Sequence, residues 1–265
     1  MRVRDHVASA GHPPDDGAML DPDSADYPAS AVGAATLGEL DALLVECRAC
    51  PRLVAWREGI AAEKRAAFRD EEYWGRPVPG FGDHDARIMI VGLAPAAHGA
   101  NRTGRMFTGD RSGDFLFAGL FRAGLATQPT SVGRGDGLEL NGVRISAPVR
   151  CAPPANKPTP QERRRCAPWL ARELQLVGSS TRVLVALGAF GWHALLATLA
   201  DLGWELPRPA PPFAHGAEAA LVTPDGRTVI LLGCFHVSQQ NTFTGKLTPH
   251  MLDEILVRAV QLSRI

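Results

Sequence analysis

The sequence predicts a three-layer α/β/α sandwich around a central, mainly parallel sheet of four strands. Two observations carry this fold class. Short, uninterrupted apolar runs recur along the chain, as expected of strands buried on both faces, and helical patterns separate them. Strands that alternate with helices place helices on both faces of a parallel sheet. The predicted strands span residues 88–93, 143–149, 183–187 and 229–235.

The helical segments carry their own start signals. They are predicted over residues 113–123, 159–177 and 189–200, with a last helix from Thr248 and a first one from about Thr36 to Cys47. At Thr159, a threonine is followed by proline and, three residues on, by Glu162. This is the spacing of a capping box with proline at the first helical position, so we expect the helix to begin there.

The chain organisation predicted from composition is one domain with a tail. Residues 1–35 are rich in Asp, Pro, Ala and Gly and poor in large apolar groups, so we expect a disordered extension, followed by a single catalytic domain over residues 36–265. Apolar runs are too short to span a bilayer, and the amino terminus lacks the apolar centre of a secretory signal. A cytoplasmic protein without membrane contact is expected.

Net charge gives little guidance about partners. The chain has 28 basic and 28 acidic residues, and the acidic excess lies in the first thirty residues, which leaves the remainder mildly basic. Phosphate binding depends on the contacts made locally and not on the total charge of the chain. Charge therefore neither indicates nor excludes a nucleic-acid partner.

Four of the five cysteines form two separated pairs. Cys47 and Cys50 make a C-x2-C motif, and Cys151 and Cys166 follow about a hundred residues later. In a reducing compartment cysteines are metal ligands or core residues more often than disulfides. The spacing leaves zinc, an iron–sulfur cluster and two unrelated buried pairs all open. Cys234 lies inside an apolar run and is predicted to be a core residue.

Two long polar loops follow predicted strands. The first strand-end loop, residues 92–110, lacks a dinucleotide fingerprint and is too long for a simple connector. It offers two cations, Arg102 and Arg105, and one acid, Asp110. The second strand-end loop, residues 236–246, is rich in hydrogen-bonding side chains. Because parallel strands present their carboxyl ends at one edge, we expect both loops to border one cleft.

Several motifs in this order resemble those of family 5 (type b) uracil-DNA glycosylases. They are GLAP at 92–95, NRTGRMFTGD at 101–110, VRCAPPANKP at 149–158, the loop that opens at His236, and both cysteine pairs. The resemblance implies a uracil-DNA glycosylase-like fold and a 4Fe-4S cluster held by Cys47, Cys50, Cys151 and Cys166. It also implies a monofunctional base excision repair enzyme that removes uracil from double-stranded DNA and leaves an abasic site.

The resemblance also implies roles for individual residues. His236 would stabilise the departing base, Asp110 would position water or stabilise the sugar cation, and Asn156 would hydrogen-bond the substrate. Phe107 would stack on the extruded base. We expect Gly92, Ala94 and Ala147 to border the substrate. The expected DNA contacts are Arg102, Arg105, Ser238, Gln239, Gln240, Asn241 and Lys246.

Three positions depart from related enzymes. Leu93 stands where family 4 enzymes have an acid, which transfers the water-activating role to Asp110. Gln240 replaces a leucine wedge, so a polar wedge in the minor groove is expected. Ala147 replaces an asparagine that selects uracil. Because no buried amide is then left unpaired by a wrong base, we predict broad specificity that includes hypoxanthine and ethenocytosine.

Simpler interpretations remain open beside these roles. Asp110 could cap the following helix, His236 and Phe107 could be packing residues, and Arg102 and Arg105 could be solvated surface groups. As a whole, the chain could be a non-catalytic, metal-stabilised protein that binds damaged DNA. A relative that traps its product covalently is disfavoured, because its characteristic insertion is missing. We expect a monomer that acts on bacterial or archaeal nucleoid DNA.

Overall fold

The computed structural model of the protein describes residues 20–264 and contains a six-stranded sheet in the order β1-β3-β2-β4-β6-β5. Pairs within β3-β2-β4-β6 are parallel, and β1 and β5 pair antiparallel at the two edges. The strands are β1 (Phe81–Gly82), β2 (Ile88–Val91), β3 (Val143–Ser146), β4 (Val183–Leu187), β5 (Glu218–Val222) and β6 (Thr228–Cys234).

Helices cover both faces of this sheet. They are α1 (Leu37–Glu46), α2 (Pro51–Glu63), α3 (Ala100–Thr103), α4 (Arg111–Arg122), α5 (Pro160–Val177), α6 (Gly188–Asp201), α7 (Gln239–Phe243) and α8 (Pro249–Ser263). Short 3-10 helices span Tyr27–Gly33, Ala66–Phe68 and Pro154–Asn156. Among residues 20–264, no helix is both long enough and apolar enough to cross a membrane.

Alternation along the strands explains the three layers. In β2, Ile88 and Ile90 pack with α4 and α8, whereas Met89 and Val91 pack with α1, α5 and α6. Successive residues of a strand point to opposite faces, so a strand buried on both sides must be apolar throughout. The four predicted strands are the parallel core of the sheet, and the predicted three-layer sandwich is confirmed.

The predicted strand number is corrected from four to six. The two additional strands are edges, where sequence signals are weak: β1 has only two residues, and β5 alternates between exposed and buried positions over five. An edge strand needs no continuous apolar run, because one of its sides faces solvent. Strands β2 and β3 also end earlier than predicted, at Val91 and Ser146, so the following residues belong to the loops.

The start of α5 follows the predicted capping box. The Thr159 side chain accepts a hydrogen bond from the Glu162 backbone at 3.1 Å, and the Glu162 carboxylate accepts one from the Thr159 backbone at 2.7 Å. These reciprocal bonds satisfy two amide groups that the first turn leaves without partners. They fix the register of α5, and thereby the position of Cys166, within the second turn.

Part of the predicted amino-terminal extension is packed against the domain. Tyr27 and Ala31 of the first 3-10 helix are buried, and the Tyr27 hydroxyl donates to the Leu43 carbonyl at 3.0 Å. The Tyr27 ring lies 6.0 Å from that of Trp169 on α5. Packed chain therefore begins before residue 36. The rest of the predicted extension, residues 1–19, lies outside the described residues, and the single-domain division stays a prediction.

Candidate active site

A cleft of about 1470 Å³ opens at the carboxyl ends of the parallel strands. Both strand-end loops border it, together with the turn that follows β3. The predicted site residues that line it are Ala94, Phe107, Asp110, Ala147, Asn156, His236, Ser238, Gln239, Gln240 and Asn241. Tertiary structure thus brings residues from three separate parts of the chain to one cavity, as expected for a ligand site in a parallel α/β sheet.

Phe107 forms one wall of this cleft from a left-handed backbone conformation. Its φ angle is 51°, which is costly for an aromatic residue and is found mainly where function requires it. The ring lies directly over Gly92, where an added Cβ would stand 2.7 Å from Phe107 Cζ. Gly92 therefore makes room for the aromatic ring instead of lining the cleft. The Phe107 and His236 ring centroids are 6.2 Å apart.

His236 follows β6 and lines the cleft beside Phe107. Burial lowers the pKa of its imidazole to about 4, because the protein surroundings disfavour the charged form. Asn241 holds the chain at this point, since its side-chain amide donates to the His236 carbonyl at 2.8 Å. At neutral pH the ring is uncharged, so it can donate one hydrogen bond without carrying a charge.

Asp110 occupies two roles at once. Its Oδ1 atom accepts hydrogen bonds from the backbone of Ser112 at 2.9 Å and of Gly113 at 3.0 Å, and it caps α4. The cap interpretation is therefore correct, and the same carboxylate also lines the cleft. Burial raises the pKa of Asp110, while the two backbone hydrogen bonds oppose that rise. The carboxyl group is thus held rigidly, with its second oxygen free of the cap.

Asn156 reaches the cleft from a strained turn after β3. Both Ala155 and Asn156 have positive φ angles, 52° and 55°, within the 3-10 helix Pro154–Asn156. Asparagine tolerates this conformation better than most residues, whereas alanine does not, so the surrounding chain must impose it. Lys157 comes next and also lines the cleft. It belongs to the same motif as Asn156, which is the signal that could have added it to the predicted DNA contacts.

Arg102 and Arg105 lie outside the cleft and are buried in ion pairs within the protein, which argues against their prediction as DNA contacts. Arg105 is buried and donates to Asp136 at 2.6 Å and to the Ser131 hydroxyl at 2.7 Å. Although burial opposes it, the Arg105 guanidinium holds the pKa of Asp136 well below its usual range. Both arginines use their guanidinium groups to brace the first strand-end loop and not to meet phosphate.

Arg102 braces the same loop through several contacts. It pairs with Glu71, lies over the Phe68 ring and donates to the Gly109 carbonyl at 2.9 Å. The last predicted DNA contact outside the cleft, Lys246, is exposed, with its Nζ atom 5.0 Å from the centroid of the Phe235 ring. Of the predicted cations, only Lys246 is therefore accessible to a partner from outside.

The four predicted metal-ligating cysteines line a second, smaller cavity, here called the four-cysteine centre. Cys47 ends α1, Cys50 begins α2, Cys151 follows β3, and Cys166 lies on α5. Burial raises the pKa of all four thiols, that of Cys151 to about 11. Such thiols are poor nucleophiles, and a bound metal is the agent that would deprotonate them.

The surroundings of the four-cysteine centre suit an anionic group. Arg57 is fully buried and donates to Cys151 Sγ at 3.0 Å. The Nε atoms of Arg57 and Arg150 are buried and lack hydrogen-bond partners. Unpaired buried donors are rare in folded proteins, and they mark a place for a further acceptor. Within residues 20–264, no three His, Cys, Asp or Glu side chains are grouped tightly enough for a single metal ion.

Fold and cleft together define a class of α/β enzyme that binds its ligand outside the carboxyl ends of a parallel sheet, with a neutral histidine, a braced carboxylate and an aromatic wall. The family model described as "Uracil DNA glycosylase superfamily" matches residues 79–259. The chain belongs to the uracil-DNA glycosylase superfamily.

Curated relatives agree over most of the chain. It is 58% identical over 233 residues to a type-5 uracil-DNA glycosylase of Mycobacterium bovis, which covers 88% of this chain and 84% of the relative. Identity to the type-5 enzyme of Thermus thermophilus is 55%, over 83% and 95% of the two chains. Identity to that of Pyrobaculum aerophilum is 46%, over 82% and 88%.

Proposed function

We propose that this chain is a type-5 uracil-DNA glycosylase, a hydrolase of DNA repair that cleaves the bond between uracil and deoxyribose and leaves an abasic site. One observation carries the proposal: Phe107, Asp110, Asn156 and His236 line one cleft in a chain of this superfamily. These groups offer a stacking face, a carboxylate, an amide and a neutral donor, which are the groups that cleavage of a base from a sugar requires.

His236 acts on the leaving group. As the C1′–N1 bond breaks, its electron pair passes to the pyrimidine, and negative charge spreads to the ring oxygens. A neutral imidazole donates a hydrogen bond to that anion, and because burial keeps the pKa of His236 at about 4 the ring stays neutral at physiological pH. A fixed donor of this kind stabilises developing charge without the need to reorganise.

Asp110 acts on the other side of the broken bond. Its Oδ1 atom is engaged by two backbone amides at the start of α4, and this leaves Oδ2 to orient water toward C1′ or to face the positive charge on the sugar. Water supplies the new oxygen on C1′, and the proton that it releases neutralises the departing uracil anion, so that the products are an abasic site and neutral uracil. The carboxylate must be ionised for this role, and the two amide donors support the ionised form.

The base pocket is formed by Phe107, Asn156 and Ala147. Stacking on an aromatic ring is worth roughly 1–3 kcal/mol per base and tolerates any base. Asn156 supplies hydrogen bonds to the substrate, whereas the Ala147 methyl group neither donates nor accepts one. We therefore propose that the pocket also accepts hypoxanthine and ethenocytosine, since a wrong base leaves no buried amide unpaired there.

The substrate we propose is duplex DNA from which the target nucleotide is turned out of the helix. Extrusion costs a few kcal/mol and is easiest at mismatches such as uracil opposite guanine. Exposed Gln239 and Gln240 at the start of α7 stand at the cleft and can enter the gap that the extruded base leaves. Lys157 at the opposite rim can meet a phosphate.

We further propose that Cys47, Cys50, Cys151 and Cys166 hold a 4Fe-4S cluster. Four cysteine thiols that line one cavity suit the ligand set of a 4Fe-4S cluster, and the unpaired Nε donors of Arg57 and Arg150 suit its anionic sulfurs. When bound, the cluster joins α1, α2, β3 and α5 and takes no part in the cleavage. The cavity walls Leu53 and Cys151 pack against Ala94, so the cleft is built on this support.

The test uses duplexes that each contain one uracil, hypoxanthine or ethenocytosine, followed by alkali and sizing of the strand. We expect cleavage at the lesion with the wild type and cleavage slower by roughly 10²–10³-fold with His236→Ala. The matched control is His193→Ala, because His193 is an exposed histidine of α6. This variant should cleave at the wild-type rate. Retained binding without strand lability would instead indicate a non-catalytic protein. Iron and sulfide assays, with visible absorption, test the cluster separately.

We also propose a monomer that acts on nucleoid DNA in the cytoplasm. Support comes from the proposed reacting groups Phe107, Asp110, Asn156 and His236, which all lie on this chain, so that the cleft needs no residue from a second copy. Sedimentation should show a monomer for the protein alone and one protomer per duplex when a uracil duplex is added. A stable dimer at catalytic concentrations would contradict this.

A further inference from the structure

Arg57 is a fully buried cation that the proposed cleavage does not use. It lies on α2 between the four-cysteine centre and the first strand-end loop. Its Nη1 atom donates to Cys151 Sγ at 3.0 Å and to the Cys47 carbonyl at 3.1 Å. One guanidinium thus contacts cysteines from both pairs, the C-x2-C motif and the pair a hundred residues further on.

The charge of Arg57 is poorly balanced by the protein. Within the described chain, the one carboxylate within 4.0 Å is that of Glu58, at 3.7 Å, and Glu58 is already paired with Arg48. The Nε atom of Arg57 has no hydrogen-bond partner. A buried cation is tolerated where an anion faces it. The Cys151 sulfur, which Arg57 contacts directly, is the group placed to face this charge, and a bound cluster would supply the anion there.

The backbone carbonyl of Arg57 is hydrogen-bonded to the first strand-end loop. The Asn101 side-chain amide donates to the Arg57 carbonyl at 3.1 Å, and Asn101 is fully buried. The next residue, Arg102, donates to the Gly109 carbonyl at 2.9 Å, and Gly109 precedes Asp110. Three hydrogen bonds, joined through the covalent chain of Arg57 and of residues 101–102, therefore connect Cys151 Sγ with the neighbour of the cleft carboxylate.

We propose that Arg57 is a positioning residue that balances the negative charge of the four-cysteine centre and, through Asn101, holds the first strand-end loop in its active arrangement. The cluster part rests on the proposed function. Loss of the positive charge should destabilise the more negative, reduced form of a bound cluster and expose its sulfurs to attack. Loss of the Asn101 bond should loosen the loop and leave the cluster environment unchanged.

The first experiment compares Arg57→Met, Arg57→Lys and Arg76→Met in the full-length, cluster-loaded protein. Arg76 is an exposed arginine paired with Glu46 and serves as the control. With Arg57→Met we expect at least tenfold faster bleaching of visible absorption by an iron chelator. We also expect a midpoint potential lower by about 59 mV, which corresponds to tenfold for one electron. Lysine should recover part of both effects, and Arg76→Met should match the wild type.

The second experiment uses Asn101→Ala, which leaves the sulfur contacts intact. Hydrogen exchange across residues 96–110 should become faster, and single-turnover uracil release should become slower. The bleaching rate and the midpoint potential of the cluster should stay at their wild-type values. Wild-type exchange in this variant would overturn the role of Asn101. A wild-type bleaching rate and a wild-type midpoint potential in Arg57→Met would overturn the charge role. If Arg57→Met fails to fold, Arg57→Lys decides the question. A lysine whose positive charge gives no protection against bleaching and no recovery of the potential would also overturn the charge role.

Failure of the proposed function gives a different result. Wild-type protein that contains zinc in place of iron would refute the cluster, and the rate of zinc release then tests the Arg57 charge role in the same variants. Wild-type protein that fails to release uracil would refute the glycosylase activity. The exchange rates of residues 96–110 would still test the link through Asn101.

Discussion

The cleft and the four-cysteine centre differ in how their polar groups are satisfied. In the cleft, Asn156 and Gln240 are exposed, so water serves them when no substrate is bound. At the four-cysteine centre Arg57 and Arg150 are buried, and their Nε atoms lack hydrogen-bond partners. The first site can exist without its ligand and must release it after each turnover. The second leaves buried donors without partners, which supports the proposal that its ligand belongs to the fold.

The cleft and the four-cysteine centre also differ in backbone conformation. The cleft contains three non-glycine residues with positive φ, namely Phe107, Ala155 and Asn156. Cys47 and Cys50 lie at helix ends, Cys166 lies within a helix and Cys151 follows β3, and none of the four has a positive φ angle. Strain collects where side chains must face a substrate, and it persists only if the remainder of the fold imposes it. The comparison predicts that damage to the centre lowers stability, whereas damage to the cleft lowers activity.

The largest expected effect comes from the loss of one cluster ligand. Cys151→Ala should abolish visible absorption and lower the free energy of unfolding by roughly 2–5 kcal/mol, as removal of a long-range crosslink does. Cys234→Ala is the matched control, since Cys234 is equally buried but lies within β6, away from the centre. Iron content and urea unfolding of both variants measure this. Equal stability of the two would break the comparison.

His236→Ala should have the opposite pattern. Loss of one preorganised donor costs roughly 10²–10³ in the single-turnover rate, and neither iron content nor uracil-duplex affinity should fall much. Quenched-flow cleavage and fluorescence anisotropy check the two parts. A normal rate would return His236 to the role of a packing residue.

Asp110 combines both kinds of effect, and two variants separate them. Asn is an equally good helix cap, so Asp110→Asn should keep the melting temperature and slow cleavage by roughly 10²-fold. Asp110→Ala should also lose about 1 kcal/mol of stability with the cap. Thermal melts and single-turnover rates are compared. If Asp110→Asn cleaves at the normal rate, the carboxylate is only a cap.

The pH dependence of stability should report His236. The pKa of its imidazole is about 4 in the folded protein against an ordinary 6.5, so the unfolded chain binds the extra proton between these values. The contribution of the buried, neutral His236 to the free energy of unfolding is fully present above pH 6.5. It falls by about 1–3 kcal/mol as the pH drops toward 4. Urea unfolding at pH 7.5 and 5 measures it, and His236→Asn should flatten the difference.

The smallest expected effect is on the salt dependence of DNA affinity, and it distinguishes the exposed cation Lys157 from the buried cation Arg105. Lys157→Met should lower the slope of log affinity against log salt by about 0.9, the value for one phosphate contact. Arg105→Met should leave this slope unchanged and lower stability, because Arg105 is paired with Asp136. Titrations at several salt concentrations distinguish the two. A reduced slope for Arg105→Met would restore its predicted role as a DNA contact.

Local signals predicted much of this molecule. The four parallel strands, the capping box at Thr159 and the residues around the cleft follow from apolar runs, short-range spacing and motif resemblance. Edge strands β1 and β5 did not, because a two-residue strand has no period and a half-exposed one has no apolar run. The dual position of Asp110 was visible only as two alternatives.

By itself, the sequence determined the α/β/α layers and the chemical groups of the cleft, because burial on both faces of a strand and hydrogen bonds within one helical turn act over a few residues. Only the tertiary structure decided which charges are internal. Arg105 meets Asp136 across 31 residues of sequence, and Arg57 meets Cys151 across 94. An isolated arginine has the same local pattern whether it faces solvent, phosphate or a buried partner, so its role depends on distant chain segments.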